Sequence, residues 1–239
     1  MILAAFIPMA FLLGSIPTGL LIARAGGVDI RAHGSGNIGA TNVWRVMGRG
    51  PGMLCFALDA LKGLAPTLGA GLASGLAGAL APPPTQSALW LAVAGSAILG
   101  HMHSPWIGFR GGKGVATGLG ALLGVYPLLT WPAIGALVIW IVVARLTRIV
   151  SISSITAALA IPLLAVVGAK ALGTPHTSAL PYYIALLALA TLVIYKHRAN
   201  IRRLISGTEN RIGVRTPPVS RTHDAPASPQ PHESSHRHG

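Results

Sequence analysis

Charge is what this chain has least of. Only 10% of its 239 residues are Asp, Glu, Lys or Arg, and just five of those are acidic. A typical soluble domain carries about a quarter charged residues. None of the four charged types interrupts residues 63–109, 114–144, 149–169 or 171–195. Each run supplies the roughly 20 residues that a helix needs to cross a hydrocarbon core. A very apolar soluble bundle is the alternative, but with 52% hydrophobic residues it would lack the polar surface to stay dispersed. Cysteine is nearly absent as well. Cys55 alone excludes an internal disulfide framework and a cysteine-based metal cluster. The apolar N-terminal run has no positive side chain ahead of it, and its first arginine, Arg24, lies behind it. A signal peptide has the opposite order, so residues 1–23 read as a first membrane helix with a cytoplasmic C-terminal end.

What is present is a succession of apolar helices. Spans fit residues 2–23, 52–80 and 87–103, the second ending before Pro82, Pro83 and Pro84, which cannot continue a helix. Residues 114–146 are too long for one crossing, and Pro127 with Pro132 divides them into two short ones. Further spans fit 151–169 and 180–195. The fold class is therefore all-α and polytopic, with about seven transmembrane helices; five is the second choice if the middle pair is a re-entrant hairpin. Seven crossings place segments 24–51, 104–113, 145–150 and 196–239 on one side, with 16 of the 18 Lys and Arg residues. That imbalance marks this side as cytoplasmic and the N-terminus as external.

Residues 1–215 form one membrane domain. From 216 to 239 the chain turns Pro-, His- and Ser-rich, has little apolar surface to bury, and reads as a disordered tail. Its histidines lack the fixed geometry of a metal site. The net charge of +13 lies mostly against the membrane, which suits anionic lipids and phosphorylated metabolites rather than nucleic acid.

Three polar segments on the cytoplasmic side carry the chemistry. The first contains Ser35, Asn37, Thr41, Asn42 and Arg45 among small residues. Glycines with free N–H groups can wrap phosphate oxygens, and Arg45, three residues from Asn42, offers a planar multi-donor fork. The second runs from His101 through Gly111, Gly112, Lys113 and Gly114 to Thr117. It suggests a phosphate loop with Lys113 at a helix start. It is not a nucleotide loop, because Gly114 follows the lysine where Ser or Thr is required. His101 is as compatible with a structural role as with a catalytic one. In the third segment Lys196, Asn200 and Arg203 share one face of a helix continuing the last span, with His197 beside them. An amphipathic lipid anchor is the plain alternative, while Glu209, an isolated acid, suggests a salt bridge or substrate contact. Asp59 and Lys62, spaced i, i+3 inside the second span, are read most simply as an ion pair that orients the helix, with a direct catalytic role as the alternative.

Together the three segments resemble the bacterial acyl-phosphate-dependent glycerol-3-phosphate acyltransferase family, integral enzymes that begin phospholipid synthesis. Ser35-Gly36-Asn37, Gly39-Ala40-Thr41-Asn42 and Arg45 resemble its first motif. Gly100-His101 with Gly111-Gly112-Lys113-Gly114-Val115-Ala116-Thr117 resembles the second. Lys196-His197-Arg198, Asn200-Ile201, Arg203-Leu204 and Gly207-Thr208-Glu209 resemble the third. The likeness reaches to about Gly213 and departs at Ser104-Pro105, where the family's proline usually comes one residue earlier.

The resemblance implies transfer of an acyl group from a long-chain acyl phosphate to the 1-hydroxyl of sn-glycerol 3-phosphate. The products are 1-acylglycerol 3-phosphate and inorganic phosphate, made at the cytoplasmic face of the bacterial inner membrane with no cofactor or metal. Ser35, Arg45, His101, Lys113, His197 and Asn200 are then expected to be catalytic. Asn37, Thr41, Asn42, Gly111, Gly112, Gly114, Thr117, Arg203 and Glu209 would bind substrate. Acyl phosphate brings its own leaving group, so positioning and preorganised donors can supply most of the barrier reduction. The proton acceptor stays open among His101, His197 and a substrate phosphate oxygen. A transporter for a phosphorylated metabolite is the rival class, disfavoured because the motifs sit at one face and no internal repeat is visible. Oligomeric state also stays open, a monomer being the simplest reading.

Overall fold

A computed structural model describes residues 2–212; the tail assigned to 216–239 lies outside the described residues. Those residues contain only helices: α1 (Ile2–Ser15), α2 (Thr18–Ala25), α3 (Ala40–Met47), α4 (Arg49–Ser74), α5 (Pro84–Met102), α6 (Val115–Gly124), α7 (Thr130–Thr147), α8 (Val150–Ala171), α9 (His176–Lys196) and α10 (Arg198–Ile205). A short 3₁₀ turn, Pro105–Ile107, follows α5.

Five stretches are long and apolar enough to cross a membrane: Ile2–Ala25, α4, α7, α8 and α9. The exposed side chains of α8, such as Leu159, Leu163 and Val167, form an apolar outer face of the kind that meets lipid. Helix α5 is different. Its Trp90, Val93, Ala97 and Met102 are completely buried, and it packs against α1, α4, α6 and α9 as the central post of the bundle. Helix α6 has only ten residues, about 15 Å of rise, and lies against α4 and α5. Small residues set the α4–α6 contact: a Cβ on Gly63 would stand 2.1 Å from the Thr117 carbonyl oxygen, and one on Gly120 would stand 1.8 Å from that of Ala60. Without those glycines the two backbones could not approach.

Local chemistry moves several boundaries. Span one breaks at Ile16–Pro17, because proline at 17 cannot donate to the preceding turn. The second span ends at Ser74, where Gly75 adopts a left-handed conformation and caps the helix, six residues before the expected stop. Of the two middle prolines only Pro127 lies in the break; Pro132 sits in the first turn of α7, where a missing N–H costs no helical bond.

The break in span one is tied to α4 by a buried knot of polar groups. Lys62 Nζ lies 2.8 Å from Asp59 Oδ1 and donates to the Ile16 carbonyl at 2.8 Å. The Thr18 hydroxyl also donates to Asp59 Oδ1. The carboxylate and ammonium are only 2% and 8% exposed, so mutual pairing is what lets both reside inside the bundle.

Candidate active site

The C-terminal ends of α2, α5, α7 and α9 and the N-terminal ends of α4, α6 and α8 converge on one basic end. Residues 26–39 form an irregular loop there, and Asn42, 1% exposed, is its anchor. Asn42 Oδ1 accepts from the Ser35 N–H at 2.8 Å and from Arg45 Nη1 at 3.2 Å. Its Nδ2 donates to the carbonyls of Ile30 and His33 at 3.2 and 3.0 Å. All of that amide is engaged, so Asn42 shapes the loop and aims Arg45. Asn37 works similarly, accepting from the Gly39 N–H at 2.8 Å.

The second segment holds a surprise about its glycines. The Gly111 N–H donates to the Met102 carbonyl at 3.2 Å and the Gly112 N–H to that of His101 at 3.1 Å. These amides close the end of α5 and do not point at a ligand. The free donors are those at the start of α6, where Gly114 takes φ +77° as the N-cap. The N–H groups of Val115 and Ala116 emerge there beside Lys113, where a helix N-terminus favours an anion. Thr117 faces the other way. It is fully buried behind α4, and its hydroxyl has no hydrogen-bond partner among the described residues; the 3.6-residue period puts Gly114, Gly118 and Leu122 on the cavity side instead.

Lys113 connects the second segment to the third. Its Nζ donates to Asn200 Oδ1 at 2.6 Å, and Asn200 Nδ2 donates to Glu209 Oε1 at 2.6 Å. Arg203 Nε donates to Glu209 Oε2 at 2.7 Å, and the Ser151 hydroxyl to Oε1 at 2.9 Å. Ser151, on α8, went unnoticed in the sequence; its only signal was the cluster Ser151, Ser153 and Ser154 opening an apolar helix. The expected shared face of Lys196, Asn200 and Arg203 does not form. Helix α9 stops at Lys196 and α10 restarts at Arg198, which turns Lys196 away to donate to His103 Nε2 at 3.3 Å.

These groups line a cavity of ≈ 220 Å³. Ser35, Asn37, Thr41, Asn42, Arg45, His101, Lys113, Gly114, His197, Asn200, Arg203 and Glu209 all border it, with Asp59 at its floor. Gly111, Gly112 and Thr117 do not border it. The other arm is apolar, running between Leu119 and Leu122 of α6, Ala136 and Trp140 of α7, Ala157 and Ile161 of α8 and Val193 of α9. Along α8 the lining extends from Val150 to Ile161, about 16 Å of helix. A charged head and an oily arm thus share one space.

The head is electrostatically incomplete. The Asp59 carboxylate is paired with Lys62, which leaves Arg45, Lys113 and Arg203 to share Glu209 among the residues that border the cavity. Burial pushes the Lys113 amine down to about 8, with Glu209 opposing and Arg203 and Arg45 adding to the shift. Burial likewise lowers Arg45. For Glu209, burial raises the carboxyl, but hydrogen bonds from Asn200, Arg203 and Ser151 prevail and hold it below the usual carboxylate range. Burial, reinforced by the Lys113 charge, pushes His197 down to about 4, so its ring is neutral at physiological pH. Its Nδ1 lies 2.8 Å from the Val193 carbonyl. A carbonyl only accepts, so Nδ1 carries the proton and the Nε2 lone pair is left for the cavity. Among the described residues no group of three His, Cys, Asp or Glu side chains is placed to hold a metal ion.

Residues 4–207 match the family described as glycerol-3-phosphate acyltransferase. The glycerol-3-phosphate acyltransferase of Geobacter sulfurreducens is 49% identical over 205 residues, covering 85% of this chain and 94% of that protein. Its counterpart in Geotalea daltonii is 47% identical over 203 residues, covering 84% and 93%. The fold matches the crystal structure of PlsY, an integral membrane glycerol 3-phosphate acyltransferase, in its glycerol 3-phosphate form, with a TM-score of 0.76 and 36% identity over 88% of this chain and 96% of that one. The lysophosphatidic acid form of PlsY gives a TM-score of 0.74 at the same identity, covering 88% and 95%. Sequence, fold and the paired charged and apolar arms agree: this chain belongs to the glycerol-3-phosphate acyltransferase family of integral membrane proteins.

Proposed function

We propose that this protein moves an acyl group from a long-chain acyl phosphate to the 1-hydroxyl of sn-glycerol 3-phosphate, releasing 1-acyl-sn-glycerol 3-phosphate and inorganic phosphate. The observation that carries this reading is the single cavity with three cations at one end and a hydrocarbon-lined arm at the other. Both substrates are phosphate monoesters or anhydrides, and an excess of cations in a partly desolvated pocket suits two such anions. The acyl tail occupies the arm, entering sideways from lipid between the helices. Related structures of PlsY hold glycerol 3-phosphate and lysophosphatidic acid, an acceptor and a product of the same reaction.

In this mechanism Arg45, Lys113, Arg203 and the α6 N-terminus grip the phosphates, and the Ser35 hydroxyl steadies the acyl head. The glycerol oxygen attacks the acyl carbon, the bond from that carbon to the phosphate oxygen breaks, and phosphate leaves with the electron pair. His197 Nε2 accepts a hydrogen bond from the attacking hydroxyl and aligns it. A ring held near 4 is too weak a base to keep the proton at neutral pH, so the proton passes to a phosphate oxygen. Lysine and arginine donors facing the carbonyl stabilise the developing oxyanion. Ser35 is not a nucleophile in this scheme, since among the described residues no base is hydrogen-bonded to its hydroxyl.

The basic end faces the cytoplasm of a bacterial inner membrane, and α5 and α6 complete a count of seven crossings. Lysine and arginine in the loops at that end support the orientation. Purified protein given palmitoyl phosphate and glycerol 3-phosphate should release phosphate and lysophosphatidate in equal amounts. Turnover with acyl-CoA but not with acyl phosphate would overturn the donor assignment. An acyl-enzyme trapped by rapid quenching before acceptor is added would overturn direct attack.

A further inference from the structure

The knot around Asp59 sits under the active cavity, and its geometry reaches a third partner. His101 closes α5 with only 5% of its surface exposed. Its Nδ1 is buried and makes no hydrogen bond among the described residues, and Asp59 Oδ1 lies 3.6 Å from it. The opposite edge of the same ring lies under the glycine loop: a Cβ on Gly112 would stand 2.2 Å from His101 Nε2. One residue further on, Lys113 enters the cavity. Asp59, His101 and Gly112 therefore form a continuous stack from the membrane interior to the loop that bears the lysine.

Asp59 is itself fixed from three directions. Lys62 and Thr18 hold Oδ1, and the Cys55 thiol lies 3.7 Å from Oδ2. Helix α4 begins at Arg49, so Asp59 is ten residues in, about 15 Å along the axis. A pair whose only work was to orient α4 would not need its carboxylate to border the cavity, as Asp59 does. An ionisable residue at this depth with a free-standing histidine nitrogen opposite it signals a role in the site.

We propose that Asp59 is a positioning residue that acts through His101: its carboxylate, pinned by Lys62 and Thr18, attracts the Nδ1–H edge of the His101 ring electrostatically across 3.6 Å and so fixes the glycine loop that presents Lys113. The inference rests on the acyltransferase reading of the cavity, though not on the identity of the acyl donor. The physical logic is that of an orienting partner behind a histidine, which sets which nitrogen carries the proton and where the ring lies.

A double-mutant cycle tests it, measured on purified full-length protein with whichever donor sustains wild-type turnover. An inactive acyl phosphate would thus sink the donor assignment and leave this test standing. Asp59→Asn should lower kcat/KM for glycerol 3-phosphate roughly tenfold. In a His101→Gln background the same change should cost less than about twofold, because the partner is gone. Asp59→Glu, which keeps a carboxylate in reach, should recover most of the loss. Nitrogen NMR of ring-labelled histidine should show a protonated His101 Nδ1 in the wild type and lose that signature in Asp59→Asn. Equal losses in both backgrounds, or an unchanged His101 signal, would overturn the proposal. Should Asp59→Asn fail to fold because Lys62 is left alone, Asp59→Asn with Lys62→Met removes both charges together, and the cycle is read on that pair.

Discussion

Two clusters of buried charge lie in this protein, and they are balanced in opposite ways. Around Asp59 one carboxylate meets one ammonium, and a hydroxyl and a backbone carbonyl supply further hydrogen bonds. Around Glu209 one carboxylate serves Arg203 directly, while Lys113 and Arg45 have only amide oxygens as hydrogen-bond partners among the described residues. The first cluster is complete without a ligand and joins α4 to the broken first span. The second has cations to spare and becomes neutral only when anions arrive. The difference teaches that counting charges on a membrane protein says less than asking which of them lack a counter-ion.

The comparison can be broken most severely at Lys113. Lys113→Ala should cut turnover by about a thousandfold or more, since a transition-state cation is lost; phosphate release from acyl phosphate checks it, and near-normal turnover would mean the unbalanced head is not the site. Next comes the balanced cluster. Lys62→Met leaves Asp59 without its cation and should destabilise the fold by ~3–5 kcal/mol, seen as a lower thermal midpoint in detergent. Joint replacement of Asp59 and Lys62 should recover much of that stability.

A smaller, graded effect follows from pH. The Lys113 amine lies near 8, below its ordinary 10.5, so it is charged below that value and loses its charge above it. Thus kcat/KM should fall as pH rises through about 8. Stability should move the other way. Between about 8 and 10.5 the unfolded chain holds the proton that folded Lys113 has shed, so this lysine's contribution to stability grows with pH. Rates and thermal midpoints measured on the same samples would show the two trends crossing. The mildest effect is expected in the apolar arm. Ala136→Phe should lower kcat/KM for palmitoyl phosphate by ~10-fold while sparing shorter donors, which a donor-length series reads directly.

Much of this was legible in the sequence because hydrocarbon leaves so little freedom. Uncharged runs forced helices, lysine and arginine marked one end, and that end did collect Arg45, Lys113, Asn200, Arg203 and Glu209. The Asp59–Lys62 pairing followed from the i, i+3 spacing. What could not be read depended on atoms that residue types do not reveal. The Gly111 and Gly112 amides turn back to α5 because that helix ends just before them. Thr117 looks like part of the loop in sequence but is already on a helix, on its far side. Lys196 separates from Asn200 because the chain turns at His197. Ser151 is revealed only when Glu209 arrives from a distant segment.

The position of Glu209 along the chain has a consequence for biogenesis. It joins α8 to α10 and, through Asn200, reaches Lys113, yet it follows every apolar helix of the described chain. Because translation is vectorial, a nascent chain can have all those helices threaded into the bilayer while its anion pocket is still unlatched. The hydrogen bonds that tie Lys113, Asn200 and Ser151 together through Glu209 can therefore form only after the last apolar helix of the described chain has been made.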